Sequence, residues 1–413
     1  MTPEERRAFG ARVAELREAR GLTQKQLAAE IGRTASWLSQ VERGIQPVNR
    51  LDVLRMLADG LGVPLQVLRP DAPAPVAAVP VPPTEESNDL DQARLLISGH
   101  PVPEVLLAAD PTEAPVTVAE LQAVVDRVWE MTHNNQFAEL SKALGSLLPR
   151  IERAARTAPA DQRPQLWGQL SRTYQALSAA FVRQDEGDAA WIAADRSIRA
   201  AEESGQPLEV FAGVFRLAQA FVRLKHYDQA DHSATTALHA LEQHIQVGNP
   251  TPEALSVTGS LHLVLALTNA RSGDRSRARQ ELDRARKVAR KLGEDRNDFN
   301  LEFGPTNVEI QTVSIAVDLG DAGEALDVGT RIDASGLSAE RQARLLLDLG
   351  RAYTQRRQLG EALGALLQAE ELSPDLIHTH VTARATIREL LLVAGRSATP
   401  ELRDLAERAD ARV

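Results

Sequence analysis

LTQKQLAAEIGRTASWLSQVERG, residues 22–44, is the stretch whose reading decides the fold of the N-terminal part of the chain. Thr23 followed three residues later by Gln26 has the spacing of a capping box. Ala28 is small where two helices must cross, Gly32 supplies the turn between them, and Thr34 caps the helix that follows. Leu27, Ile31, Leu38 and Val41 then form one shared core. That leaves Ala35, Ser36, Trp37, Ser39 and Gln40 on or near the outward face of the second helix. Upstream, a helix is expected from Pro3 to about Arg20, because Thr2 can cap it, Pro3 suits its first position, Glu5 completes a capping box and Gly21 ends it. Phe9, Val13 and Leu16 are its buried stripe. Downstream, Leu51, Leu54, Leu57 and Leu61 face inward from another helix, so a compact helical domain of residues 1–69 is expected.

Over about residues 6–68, the LTQ…LA…G…S…ERG spacing resembles the XRE-type helix-turn-helix family of the phage Cro and repressor proteins. The resemblance implies a five-helix domain whose second motif helix enters the DNA major groove with its N-terminal turn at the base edges. Carried over position by position, it places Ala35, Ser36 and Gln40 at the bases, with Trp37 and Ser39 beside them. Gln40 can pair bidentately with adenine, and Ala35, where repressors often have glutamine, offers only a methyl contact. Gln24, Lys25, Thr34, Arg43 and Arg50 are expected at phosphates, which position the protein without specifying sequence. Trp37 can equally pack on sugar or on the preceding helix, and Glu42 is expected to pair locally. One such module buries little surface, so a homodimer on inverted half-sites about one DNA turn apart is expected, with double-stranded DNA as partner.

Charge agrees when it is counted by region. Residues 1–70 carry 11 Arg and Lys against 8 Asp and Glu, a balance of +3 inside a chain of −10, which leaves −13 for the remainder. At 413 residues and 43% apolar composition the chain can bury a substantial core in two or three domains. The absence of cysteine excludes disulfides, Cys-ligated zinc and thiol catalysis, and fits a reducing compartment. No run of about 18 apolar residues occurs, and MTPEERRAFG lacks the apolar segment of a signal peptide. A soluble, cytoplasmic, nucleoid-associated protein without a membrane partner is therefore expected.

Residues 70–83, PDAPAPVAAVPVPP, contain six prolines and no helix or strand period. They read as a polyproline-type spacer that can reach ~40 Å at about 3.1 Å per residue. Residues 84–115 hold one short helical pattern, Leu90, Leu95 and Leu96, among further prolines, so 70–115 is assigned as linker and transitional segment.

From residue 116 to 413 the apolar pattern is helical and breakers fall at regular intervals. Leu346, Leu349, Gly350 and Tyr353, then Ala362, Leu366, Ala369 and Pro374, follow the offsets of the tetratricopeptide (TPR) pattern, in which small residues let paired helices approach. Val214, Leu217, Ala218, Phe221, Ala230, Ala234 and Ala237 repeat these offsets, as do Leu265, Ala266, Ala278, Leu282 and Ala285. Weaker copies begin near Trp167 and Asn307. The second-helix alanines Ala230, Ala278, Ala325 and Ala362 are 48, 47 and 37 residues apart, so the repeats are irregular. The expected fold is all-α, with a helix-turn-helix domain followed by a TPR-like α-solenoid.

Such a solenoid leaves a concave groove lined by the first helix of each pair. The groove offsets of TPR proteins, carried over, fall on Arg172, Gln175, Gln219, Arg223, Arg271, Asn307 and Arg351. The arginines can clamp a carboxylate or phosphate, or can simply pair with neighbouring acids along the helices. DRNDFNLEFGPTNVEIQ, residues 295–311, can fold over the groove with Asn300, Phe303, Thr306, Asn307 and Gln311 near a ligand, or can be a turn whose helix is capped by Thr306 or Asn307.

An XRE-type domain followed by TPR-like repeats resembles the peptide-sensing RRNPP regulators of bacteria, and the Ala- and Arg-rich, Lys-poor composition is similar to that of actinobacteria. The resemblance implies a dimer whose DNA binding is changed by a signalling peptide, or by a small molecule, in the groove, as in quorum sensing. A constitutive DNA binder whose repeats recruit a protein partner is the alternative, and a phage-type immunity repressor a third. No phosphate-binding GxxxxGK[ST] loop occurs, and His378 and His380 are spaced for different helix faces, so no enzyme, cofactor or metal site is expected.

Overall fold

The computed structural model describes residues 3–31, 33–46, 48, 51–61, 63, 65–68, 88–99, 117–245 and 250–412. The architecture is all-α, with no strand among the described residues, and it divides into two compact units, Met1–Glu85 and Glu86–Val413.

The first unit contains α1 (Pro3–Ala19), α2 (Gln24–Glu30), α3 (Ala35–Glu42), α4 (Leu51–Leu61) and α5 (Leu65–Leu68). Two glycines in the left-handed region stop α1 and α3: Gly21 at φ +68 and Gly44 at φ +70. Each is followed by the same pair of backbone bonds. Gly21 N–H reaches Glu18 O at 2.8 Å and Leu22 N–H reaches Arg17 O at 3.1 Å, while Gly44 and Ile45 bond Val41 O and Gln40 O, both at 2.9 Å. That is the Schellman arrangement, which satisfies carbonyls the helix end would otherwise leave open. The core comprises Phe9, Val13, Leu27, Ala28, Ile31, Leu38, Val41, Leu54, Leu57 and Leu61, as the apolar spacing predicts. Gly32, Arg50 and the side chains of Glu5 and Leu51 lie outside the described residues.

The second unit begins earlier than residue 116. α6 (Asp91–Ser98) buries Leu90, Ala93 and Ile97 in the same cluster as the first repeats, whereas Leu95 is exposed. The short pattern in the transitional segment is therefore part of the second unit's core. Six antiparallel pairs follow: α7 (Val118–His133) with α8 (Phe137–Thr157), α9 (Arg163–Arg183) with α10 (Gly187–Ser204), and α11 (Pro207–Arg223) with α12 (Tyr227–Ile245). Then come α13 (Pro252–Ser272) with α14 (Arg275–Leu292), α15 (Pro305–Asp318) with α16 (Ala322–Gly329), and α17 (Ala339–Gln355) with α18 (Leu359–Leu372). α19 (Pro374–Thr379), α20 (Val381–Ala394) and α21 (Pro400–Arg408) end the unit.

The backbone reveals the repeat more regularly than the side chains do. In every one of the six pairs the turn between helices holds one residue at positive φ: Asn135, Asp185, Lys225, Gly273, Gly320 and Arg357. The next residue's N–H always returns to the carbonyl five positions back, as in Glu186 to Phe181 at 2.9 Å and Gln358 to Tyr353 at 2.9 Å. Only two of the six are glycine, although an L-residue in that region costs ~1–2 kcal/mol. Small residues set the pair crossings: Ala218, Ala230, Ala234, Ala278 and Ala362 have no exposed surface, and a Cβ at Gly350 would press on Leu366 at 3.1 Å.

The first helices α7, α9, α11, α13, α15 and α17 lie side by side and curve until the two ends of the array meet. Arg183 at the end of α9 lies 3.7 Å from Glu340 at the start of α17, and Asn88 donates to Asp375 at 3.2 Å. The concave face thereby becomes a cavity.

Candidate nucleic-acid interface and ligand cavity

In the first unit, the position of α3 is set by three devices. Thr34 has the extended backbone of a cap and its Oγ1 accepts from Trp37 N–H at 3.1 Å. Gly10 packs under the carbonyls of Val41 and Glu42 with no room for a Cβ, and a Cβ at Gly44 would lie 2.9 Å from Arg7 Cα, so α1 crosses the end of α3 in backbone contact. Arg17 and Glu42, whose side chains are about nine-tenths buried, pair at 2.6 Å, and Arg17 also donates to Leu22 O at 2.8 Å. Glu42 thus takes the local pairing expected of it.

With α3 held this way, Ser36 is exposed and Ala35, Ser39 and Gln40 are partly so. Trp37 is half-buried against the core, with the Arg33 guanidinium 5.5 Å from its ring centroid. Lys25 and Arg43 are exposed, and Arg43 Nε donates to Ser39 O at 3.2 Å. The Gln24 amide donates to Glu42 at 2.6 Å, so it braces the Arg17–Glu42 pair. The capping box of α2 is formed, Thr23 N–H reaching Gln26 at 2.9 Å and Gln26 N–H reaching Thr23 at 3.3 Å.

In the second unit, the concave face holds a partly open cavity of about 190 Å³. Gln219, Arg223, Asn300, Asn307 and Gln311, five of the residues expected at a ligand, line it. The other five do not. Arg172 turns to Asp126 at 2.7 Å, and Gln175 is 1% exposed and bonded to Ser171. Arg271 and Arg351 both bind Asp318, at 2.9 and 2.5 Å, and Arg351 also binds Asp348 at 2.7 Å. Burial works against the Asp318 carboxylate, but Arg351 and Arg271 outweigh it and hold its pKa below the ordinary value. These are the structural ion pairs that the sequence left open as the alternative. Phe303 is fully buried, its ring seated where a Cβ on Gly259 would have to go.

Residues 295–304 do fold against the array, held to α13 through Ser256 and Glu253. Asp298 accepts from Ser256 at 2.7 Å and from Arg296 at 2.8 Å, and Arg296 N–H closes the loop onto Phe303 O at 2.9 Å. The start of α15 is capped by Asp295, which accepts from Thr306 N–H at 3.0 Å, and not by Thr306 or Asn307 side chains. Phe299, Asn300 and Glu302 all have φ between 51 and 54. Three non-glycine residues in the left-handed region within four positions cost several kcal/mol together, at ~1–2 kcal/mol each. The buried Phe303 ring and the Arg296–Asp298 pair offset that cost, and the result is that Asn300 and Glu302 face the cavity.

The cavity's charge was not legible from the groove offsets. Besides Arg223 it is lined by Arg183, Arg216, Arg341 and Arg344. Arg216 is 6% exposed, lies 5.2 Å from the Trp129 ring centroid, and donates to Asn300 O at 2.7 Å. Burial, reinforced by Arg183, pulls Arg216 down to about 9, with Glu302 opposing. Burial likewise lowers Arg183 to about 10, against the pull of Glu340, and Arg223 to about 10, with Arg271 adding to the effect. His133 is lowered to about 4 by burial and Arg183, and His380 falls well below its ordinary value by burial and the surrounding arginines. Both imidazoles are therefore neutral at pH 7. A signal for part of this set was present: Arg341 and Arg344 stand one turn apart on α17, and Arg216 stands one turn before Gln219.

Residues 8–71 match a family described as a helix-turn-helix domain. A search of curated proteins returns no match. Among solved structures, the crystal structure of Bacillus thuringiensis PlcR in complex with the peptide PapR7 and DNA is similar, with 14% sequence identity, coverage of 90% of this chain and 94% of that chain, and a TM-score of 0.36. The N-terminal unit is a helix-turn-helix domain, the DNA-binding part of a transcription regulator. No described helix is long and apolar enough to cross a membrane.

Proposed function

We propose that the chain is a sequence-specific, homodimeric transcription regulator of the XRE type, whose TPR-like array changes DNA binding when a ligand occupies its cavity. The observation that carries the reading is the solvent-facing start of α3, capped by Thr34 and held by the buried Arg17–Glu42 pair. Ser36 and Gln40 read bases there, Ala35, Trp37 and Ser39 border them, and Lys25, Thr34, Arg43 and Arg50 meet phosphates. Gln24 acts through Glu42 as a brace. In the RRNPP manner, the ligand is a peptide or small molecule, and it works only by binding one arrangement of the dimer better than another. The protein then acts in the cytoplasm, on the nucleoid.

The test is operator affinity of the full chain, measured on sites recovered from genome-wide binding. With ~6–10 phosphate contacts in the dimer, affinity falls by ~10³–10⁵ between 50 and 200 mM salt. Gln40→Ala weakens the preferred sequence by about 1–3 kcal/mol relative to a site altered at one base pair. Salt-insensitive binding, or a uniform loss for all sequences in Gln40→Ala, overturns the assignment. If operator affinity never responds to any ligand of the array, the alternative stands, in which DNA binding is constitutive and the repeats recruit a protein.

A further inference from the structure

The cavity's polar atoms are unbalanced in one direction. Five buried atoms of its lining have no hydrogen-bond partner in the protein: Arg216 Nε, Arg341 Nη2, Arg344 Nη2, Trp129 Nε1 and Ser260 Oγ. Four are obligate donors and the fifth is a hydroxyl that can donate. An unpartnered acceptor, Glu209 Oε2, lies elsewhere in the chain, as do the unpartnered donors Asn135 Nδ2 and Gln184 Nε2. A buried donor without an acceptor is costly, and native proteins keep few of them. A run of donors around one cavity calls for an acceptor-rich guest.

Charge points the same way and sets its amount. Around the five guanidiniums stand three carboxylates of their own, while Asp318 and Asp348, which also act on Arg223 and Arg344, are paired with Arg271 and Arg351. Glu302 is 3.7 Å from Arg341, Glu340 is bound by Arg344 and lies 3.7 Å from Arg183, and the half-exposed Asp185 is 3.5 Å from Arg223. Two positive charges remain without a counterion, and the neutral His133 and His380 add none. Phe215, Leu263, Val264 and Ile310 make one part of the wall apolar, beside the amides of Gln219, Asn300, Asn307 and Gln311. At about 190 Å³ the space is smaller than the ~300–1,000 Å³ typical for drug-sized ligands, which favours a compact guest.

We infer that the array cavity binds a compact dianion, a dicarboxylate or a phosphate monoester with a small apolar body, clamped by Arg216, Arg341 and Arg344. Glu302 holds the guest's place. Its carboxylate is presented to the arginines by a backbone in the left-handed region, and an incoming acidic group competes with it for Arg341. The ligand's charge thus does what Glu302 does incompletely. The apolar wall and the Trp129 and Phe215 rings beside Arg216 take its body.

The inference rests on the reading of this cavity as the ligand site of a regulator, but its test reads binding alone. Full-length protein is titrated calorimetrically, and by thermal shift, with succinate, adipate, phenyl phosphate, inorganic phosphate and a tetrapeptide with a free C-terminus. Each dicarboxylate is paired with its monoamide. At least one dianion is expected to bind saturably, with its monoanionic counterpart or the Arg216→Met variant ~30-fold weaker or worse, since each leaves a buried charge unpaired. Glu302→Gln, which removes the internal competitor, is expected to tighten binding about tenfold, or about 1.4 kcal/mol. Because this second variant moves affinity upward, misfolding cannot imitate it. Preference for dicarboxylates or for phenyl phosphate identifies which acid is used. Binding of the tetrapeptide alone, absence of binding by every dianion, or equal affinity in Arg216→Met overturns the inference and leaves DNA binding by the head untouched. A dianion that binds without changing operator affinity overturns the ligand-controlled reading instead, and leaves this one standing.

Discussion

The two units of this chain treat arginine in opposite ways. In the positively charged N-terminal unit, Lys25, Arg33 and Arg43 are exposed, while Arg17, the arginine in its core, is matched by Glu42 at 2.6 Å. In the second unit, which lies within the −13 remainder of residues 71–413, arginines are gathered inside a cavity with fewer carboxylates than guanidiniums. Net charge therefore says little about local potential: a solvated surface and a low-dielectric cavity weigh the same charges differently. On the proposed reading, a head that meets phosphates keeps its cations in water, where they steer association, and an array that takes a guest keeps them buried, where each is worth more.

The largest effect is expected from unmatching the head's buried Arg17–Glu42 pair. Arg17→Ala leaves Glu42 buried without its partner, and removing one member of a buried pair costs about 3–5 kcal/mol. Hydrogen exchange should show the amides of α1–α3 losing protection while those of the array keep theirs. A loss below ~1 kcal/mol would mean that Glu42 is solvated and that the head does not depend on charge matching in its core.

Gly259→Ala probes the array's counterpart, the placement of the 295–304 segment. The new methyl group collides with the Phe303 ring, and overpacking of this kind costs about 1–3 kcal/mol. Array stability and guest binding should fall together, with operator binding by the head retained. If stability falls but guest affinity does not, the segment is a passive plug.

Glu209→Gln sharpens the point that burial is tolerated only for matched charges. Burial pushes Glu209 up to about 7, against the pull of Arg172 and Ser171, and its Oε2 has no partner. A carboxyl raised from 4.5 to about 7 on folding contributes stability that is whole below pH 4.5 and is lost as pH rises through 7. The substitution should therefore stabilise the array at pH 8, by about 1–2 kcal/mol, and leave it unchanged at pH 4.5. Equal effects at both pH values would place the benefit in packing. The smallest effect is expected for Lys225→Gly, at one of the six left-handed turns, which should raise the melting temperature through a gain of about 0.5–1 kcal/mol.

How much was legible in the sequence follows the range of the interactions involved. Caps, helix stops and crossings depend on neighbours within a turn or two, so Thr23 with Gln26, Thr34, Gly21 and the apolar core of the head read directly and reappear as hydrogen bonds and buried side chains. The array's pairing was visible for the same reason, through Ala218, Ala230, Ala278 and Ala362. Its regularity was not, because four of the six left-handed turns carry Asn, Asp, Lys or Arg where only glycine would have announced them.

By itself the sequence determined a helix-turn-helix head and a row of helix pairs. It left Arg172, Arg223, Arg271 and Arg351 equivalent, since all stand at corresponding places on first helices. Only the tertiary structure divided them. Curvature brings Asp318 to Arg271 and Arg351 across neighbouring repeats, and closes Arg183 onto Glu340 from 157 residues away. An arginine's role depends on which carboxylates reach it and how much water remains around it. Both are set by how the repeats stack, and no local spacing encodes that sum.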